Sequence, residues 1–169
     1  AKRKIKHVLD EAFEKEIISK EEHHAMIAEN KNPGRFYCNL TIHKPHNHIP
    51  PPRPIISGSE SITENIGIFI EHHIKDVATK HKSFLQDTPH FLRIIESINK
   101  GPRLHPKTIA FTMDATALYT NIIHKEGLTC LENARNTKTN PKIPTYFLIQ
   151  LMEIVLTENI FQFHDQLWR

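Results

Sequence analysis

The chain has 169 residues, 38% hydrophobic and 24% charged, which fits one globular domain or part of one and excludes a disordered chain. Its formal charge of +3, with 13 histidines in reserve, is compatible with nucleic acid without demanding it. No apolar run approaches the ~18 residues of a membrane helix, and two distant cysteines, Cys38 and Cys130, suit a reduced intracellular protein better than a disulfide scaffold.

The start is basic, with Lys2, Arg3, Lys4 and Lys6, but Val8-Leu-Asp-Glu11 follows without an apolar core, so it does not read as a secretory signal. These cations either touch phosphates or are a solvated helix start. No initiator Met is present, which fits an excerpt of a longer protein. Residues 3–18 place Ile5, Val8, Leu9, Ala12, Phe13 and Ile17 on one helical stripe. Ser19 with Glu22 three residues on forms a capping box for a short polar helix, and Asn32-Pro-Gly34 ends the region.

From Arg35 to Ile42 the pattern alternates, with Phe36, Cys38, Leu40 and Ile42 on one face and Tyr37, Asn39 and Thr41 on the other, which predicts a strand. Five of the eleven prolines crowd between Pro45 and Pro54, a segment that is neither helix nor central strand. Arg53 to Ser57 then resumes an extended run, so a hairpin over 35–57 is expected. No acid lies between Glu29 and Glu60, while Lys31, Arg35, Lys44 and Arg53 do. Such a hairpin either holds triphosphate or template backbone or simply faces its cations to water.

Ser61 with Glu64 predicts a capped helix over 61–80, buried through Ile66, Phe69, Ile70, Ile74 and Val77. His72 and His73 are adjacent on it, point about 100° apart and make a poor shared metal site. Thr88 as N-cap and Pro89 at the first position start a helix over 88–100, packing through Phe91, Leu92, Ile95 and Ile98 and stopped by Gly101-Pro102. Ile109, Phe111 and Met113 alternate as a strand that delivers Asp114 at its end. By spacing alone Asp114 is more simply a turn former. A short helix over 125–134, a polar linker over 136–144 and a helix over 145–160 close the reading, the last with Leu148, Leu151, Met152, Val155 and Leu156 on its apolar face.

Three stretches carry a resemblance. Asp114-Ala-Thr-Ala-Leu-Tyr-Thr-Asn-Ile-Ile-His-Lys-Glu-Gly127 resembles the first catalytic-aspartate motif of the reverse transcriptases of Penelope-like retroelements, approximately Asp-Val-x-Ser-Leu-Tyr-Thr-Asn-Ile-Pro-His-x-Glu-Gly. Arg35-Phe-Tyr-Cys-Asn-Leu-Thr-Ile-His-Lys-Pro45 is similar to that family's Phe-Tyr-x-Leu-Pro-Lys-Ile-His-Lys-Pro, with Leu40 and Thr41 standing where the family has Pro-Lys. Pro52-Arg-Pro-Ile-Ile-Ser-Gly58 matches its Arg-Pro-Ile-Val-Ser-Gly. Asp87, Thr88, Phe91 and Leu92, and the run Asn159-Ile-Phe-Gln-Phe163, agree with it as well.

The resemblance implies a mixed α/β (α+β) fold: a fingers-like region over 1–107 and a partial palm over 108–169 that begins with the Asp114 strand. It implies RNA-directed DNA synthesis by two Mg²⁺ ions, one activating the primer 3′-hydroxyl and one holding the triphosphate. Asp114 would be the shared carboxylate, and the carbonyl of Ala115 a further metal ligand. Arg53 and Lys44 would meet the incoming nucleotide, Tyr119 would lie under its sugar, and Arg35 and Lys31 would contact nucleic acid. The partners implied are an RNA template, a DNA primer and deoxynucleoside triphosphates, in an intracellular, nuclear setting without a membrane. No Asp-Asp dipeptide occurs in the chain, so the expectation is a fragment inactive by itself, with apolar faces left open. Two other readings compete: a non-catalytic nucleic-acid binder, and a histidine metal protein using His43, His46 and His48.

Overall fold

The computed structural model describes residues 1–27, 31–42, 48–116, 118–137 and 141–168, the side chains of Tyr119 and Thr120 excepted. The fold is α+β with a four-stranded mixed sheet, and no helix among the described residues is long and apolar enough to cross a membrane. The chain divides into two units, one made of Ala1–Ile74 with His124–Arg169 and the other of Lys75–Ile123.

The first unit holds the core. Helix α1 (Lys2–Glu14) buries Ile5, Val8, Leu9 and Ala12 against Ile66 and Ile70 of α3 (Glu64–Thr79) and against Phe147, Leu148, Leu151 and Ile154 of α7 (Thr145–Thr157). Each of these side chains larger than alanine contributes about 1.5–3 kcal/mol when fully buried. The α1 helix stops earlier than its apolar stripe predicts. Glu16 takes a left-handed φ of 55°, its amide donates to Phe13, and the Ile17 amide donates to Ala12. This Schellman closure turns Ile17 and Ile18 back onto the core.

Helix α2 (Lys20–Met26) carries the expected capping box. The Glu22 amide donates to Ser19 Oγ, and the Ser19 amide donates to the Glu22 carboxylate at 2.8 Å. The capping box expected before α3 does not form. Glu64 instead accepts from the amide of Glu60 at 3.0 Å, and the Ser61 hydroxyl pairs with that of Thr63.

Strands β1 (Gly34–Leu40) and β2 (Pro52–Ser57) make the predicted hairpin, antiparallel from Arg35↔Ser57 to Leu40↔Pro52. A second hairpin, β3 (Phe161–Phe163) and β4 (Gln166–Trp168), completes the sheet in the order β2-β1-β3-β4. Its two-residue turn puts His164 and Asp165 at φ 46° and 58°, the backbone of a type I′ turn. β3 lies parallel to β1, and Gly34 sits at the junction, where an added Cβ would meet the Ser57 carbonyl at 2.8 Å. Helix α6 (His124–Asn136) precedes α7 in this unit.

The second unit departs from the sequence reading in two places. Helix α4 (Thr88–Lys100) is capped by Asp87 rather than Thr88, through a 2.7 Å bond from the His90 amide, which leaves Pro89 one position further in. None of its residues is buried, so Phe91, Leu92, Ile95 and Ile98 do not pack as expected. The stretch 109–115 forms no strand, and Ile109, Phe111 and Met113 are 83%, 75% and 86% exposed. Alternation supplies one face of a strand, but a strand exists only when a neighbour takes its hydrogen bonds, and no described residue pairs with this one.

Candidate nucleic-acid interface on the β1–β2 hairpin

Paired residues of an antiparallel ladder present their side chains to the same face. One face of the hairpin therefore carries Arg35, Tyr37 and Asn39 from β1 with Ser57, Ile55 and Arg53 from β2. Arg35, Tyr37, Asn39 and Arg53 are all exposed. Arg53 stands opposite Asn39, four residues along β1 from Arg35, a span of about 13 Å. An aromatic ring between two guanidinium groups is the make-up of a surface that takes both phosphates and bases. No motif of the resemblance gives Tyr37 a role. Its signal was its parity with Arg35 in the alternating run.

The acid-free interval of the sequence is not acid-free in space. The backbone returns after β2 and brings Glu60 and Glu64 beside the start of β1. Lys31 Nζ lies 2.6 Å from Glu64 Oε2, and Arg35 Nη2 lies 3.4 Å from Glu60 Oε2. Lys31, hydrogen-bonded to it, holds the Glu64 carboxyl below its ordinary range. Lys31 is thus committed to a partly buried pair, and Arg35 to a looser exposed one. Among the described residues Arg53 has no ion pair, which leaves its fork open to an anion. Lys44, His43 and His46 lie outside the described residues, and His48 is exposed.

Thr41, where the resembled family has lysine, is buried and closes the hairpin. Its hydroxyl and its amide both donate to the carbonyl of Pro51, at 2.6 and 3.0 Å.

Asp114 and Ala115 lie in the second unit, exposed and outside any regular element. Tyr119 falls in the short helix α5 (Leu118–Asn121). Asn121, which had no role by sequence, donates its side-chain amide to the Thr116 carbonyl at 3.0 Å and so pins the turn that follows Asp114. Among the described residues no three His, Cys, Asp or Glu side chains gather to hold a metal ion. One carboxylate and one carbonyl do not make up the ligand set of two Mg²⁺ ions, so no metal-dependent step is derived for these residues. His72 and His73 have ring centroids 5.1 Å apart, their planes at 86°. Burial pushes the His73 imidazole down from its ordinary value.

Arg135 of α6 escaped the sequence reading. It is 2% exposed and donates to the carbonyls of His73 at 2.9 Å and Ile143 at 2.8 Å, tying α3 and the start of α7 to α6. Nothing in the local sequence distinguishes it from an ordinary basic residue in the last turn of a helix. Comparison with known proteins found no matching family model, and no curated protein or solved structure that matches this chain with significance.

Proposed function

We propose that this chain is the fingers and early-palm part of a reverse transcriptase of the Penelope-like kind, and that its β1–β2 hairpin binds the phosphates of incoming nucleotide and template–primer, with Arg53, the residue the resemblance sets against the nucleotide, as its open cation. The observation that carries the reading is the ladder itself. Two motif stretches of the resemblance, far apart around a proline-rich loop, pair with each other, and the arginine of the second is exposed and free of any ion pair among the described residues. In this reading Tyr37 offers a ring to a base and Arg53 a fork to phosphate oxygens. Asp114 and Ala115 are the metal-side residues of the reading and Tyr119 its sugar-side residue. Synthesis itself is outside the reach of one carboxylate, and the chain alone does not extend a primer.

A second reading, a non-catalytic nucleic-acid binder of retroelement origin, draws on the same hairpin and on the single carboxylate. Fluorescence anisotropy of a labelled RNA·DNA primer–template across a salt series tests both. Arg53→Ala is expected to make the slope of log K against log salt shallower by about one. Absence of binding, or binding indifferent to Arg53→Ala, overturns the hairpin assignment. Deoxynucleotide with Mg²⁺ tightening the complex, with the gain lost in Asp114→Asn, favours the polymerase reading. Indifference to both favours the binder. Primer extension by the 169-residue chain, abolished in Asp114→Asn, overturns the claim that it is inactive alone.

A further inference from the structure

A cavity of the first unit lies away from the hairpin, and its chemistry is different. It occupies about 610 Å³ between α1, α2 and the segment that leads into α3, within the range of ~300–1,000 Å³ that encloses small organic ligands. One wall is a single stripe of α1: Lys2, Lys6 and Asp10, each four residues from the next, with Ile5 beside them. The opposite wall is His23 and His24 of α2, and Ile27 and Ile62 close the apolar floor.

The charges in this cavity are unevenly matched. Asp10 is already occupied, because its Oδ1 lies 2.8 Å from His23 Nε2. The His23 ring is held from its other side by Phe13, centroid to centroid at 5.1 Å. Lys2 and Lys6 have no ion pair among the described residues, and the first turn of α1 contains no acid. Two ammonium groups one turn apart repel each other, and an anion seated between them removes that repulsion. A metal cation is not the occupant these residues suit. No group of three ligating side chains forms among the described residues, and the one carboxylate is turned to His23.

We infer that this cavity binds a small phosphate ester: the phosphate group between Lys2 and Lys6, the apolar or aromatic body of the ester on Ile5, Ile27 and Ile62. The Asp10–His23 pair is the positioning element. Asp10 fixes the imidazole in one orientation, so that wall of the cavity is rigid before the ligand arrives. The inference is independent of the hairpin reading, since none of these residues belongs to β1 or β2.

The test is a titration of the isotope-labelled chain with phenyl phosphate, followed by amide shifts in heteronuclear NMR, with inorganic phosphate and phenol as separate controls. Phenyl phosphate is expected to move the amides of Ile5, Ile27 and Ile62, and to bind at least ~10-fold more tightly than either control. Replacing both lysines, Lys2→Ala with Lys6→Ala, is expected to weaken it at least ~10-fold, the loss for one to two charge-assisted hydrogen bonds. Both side chains are exposed, so amides remote from the cavity should stay in place. If the double variant fails to fold, the comparison of the three probes on the unmodified chain decides. Shifts scattered over other lysines, equal affinity for inorganic phosphate, or an affinity untouched by the double substitution each overturn the assignment.

Discussion

The carbonyl of Pro51 receives both the hydroxyl and the amide of Thr41, at 2.6 and 3.0 Å. One oxygen thereby ties the end of β1 to the start of β2, across a loop whose prolines have few amide donors to give. The threonine thus performs a fastening role where the resembled family carries a cation. Thr41→Val keeps the shape and the amide bond but deletes the hydroxyl. Stability is expected to fall by about 1 kcal/mol, read as a lower urea midpoint at unchanged slope. An unchanged midpoint would remove the hydroxyl from the account of the hairpin.

Arg135 offers a sharper test of the first unit. Its guanidinium satisfies the carbonyls of His73 and Ile143, while its own Nε is buried without a partner. Arg135→Met leaves two carbonyls short of a donor, at ~1–3 kcal/mol each, and relieves the cost of burying a guanidinium. The net expectation is a loss of about 2 kcal/mol, measured by thermal or urea unfolding. A variant as stable as the parent would mean that the desolvation relief cancels the two bonds.

Glu16 makes the opposite kind of prediction. Its φ of 55° is the left-handed conformation that closes α1, and a side chain with a Cβ is strained there by about 1 kcal/mol. The side chain is exposed. Glu16→Gly is therefore expected to raise stability by roughly 0.5–1 kcal/mol despite glycine's greater freedom in the unfolded chain. Glu16→Val, by contrast, should lower it. A destabilised glycine variant would contradict the Schellman closure.

Acid should weaken the first unit through two groups in turn. Burial holds the His73 imidazole below its ordinary 6.5, so the unfolded chain takes up that proton first as pH drops. Stability contributed by neutral His73 is present above about pH 6.5 and is lost below it, down to the folded value. The Glu22 carboxyl is held below its ordinary 4.5, first by the Ser19 amide and also by Lys142 at 3.1 Å. Its contribution is present above 4.5 and is lost as pH falls through the lower folded value. His73→Gln should abolish the loss that sets in as pH falls below about 6.5 and spare the one that sets in below 4.5. Equal losses in parent and variant between those two values would show that other groups govern the first.

Much of the fold follows from sequence-local physics. The stripe Ile5, Val8, Leu9 and Ala12 specifies a buried helix face, Ser19 and Glu22 specify a cap, and the alternation from Arg35 with the run from Arg53 specifies a hairpin. Each of these signals is complete within a few residues, because helix periodicity, capping and strand alternation are properties of the local backbone. What the sequence could not decide was every relation needing a distant partner. The alternation at Ile109, Phe111 and Met113 is as regular as that of β1, yet β1 has β2 and β3 to pair with and residues 109–113 have no neighbour among the described residues. The acid-free run from Lys31 to Arg53 appears uniformly basic, but the fold returns Glu60 and Glu64 to two of its cations and leaves Arg53 open. Arg135 and the Asp10–His23 pair are the same lesson in the core and the cavity. Charge pairing and strand pairing act through space at 3–5 Å, so chain topology decides which of several equivalent residues becomes structural and which stays free to bind.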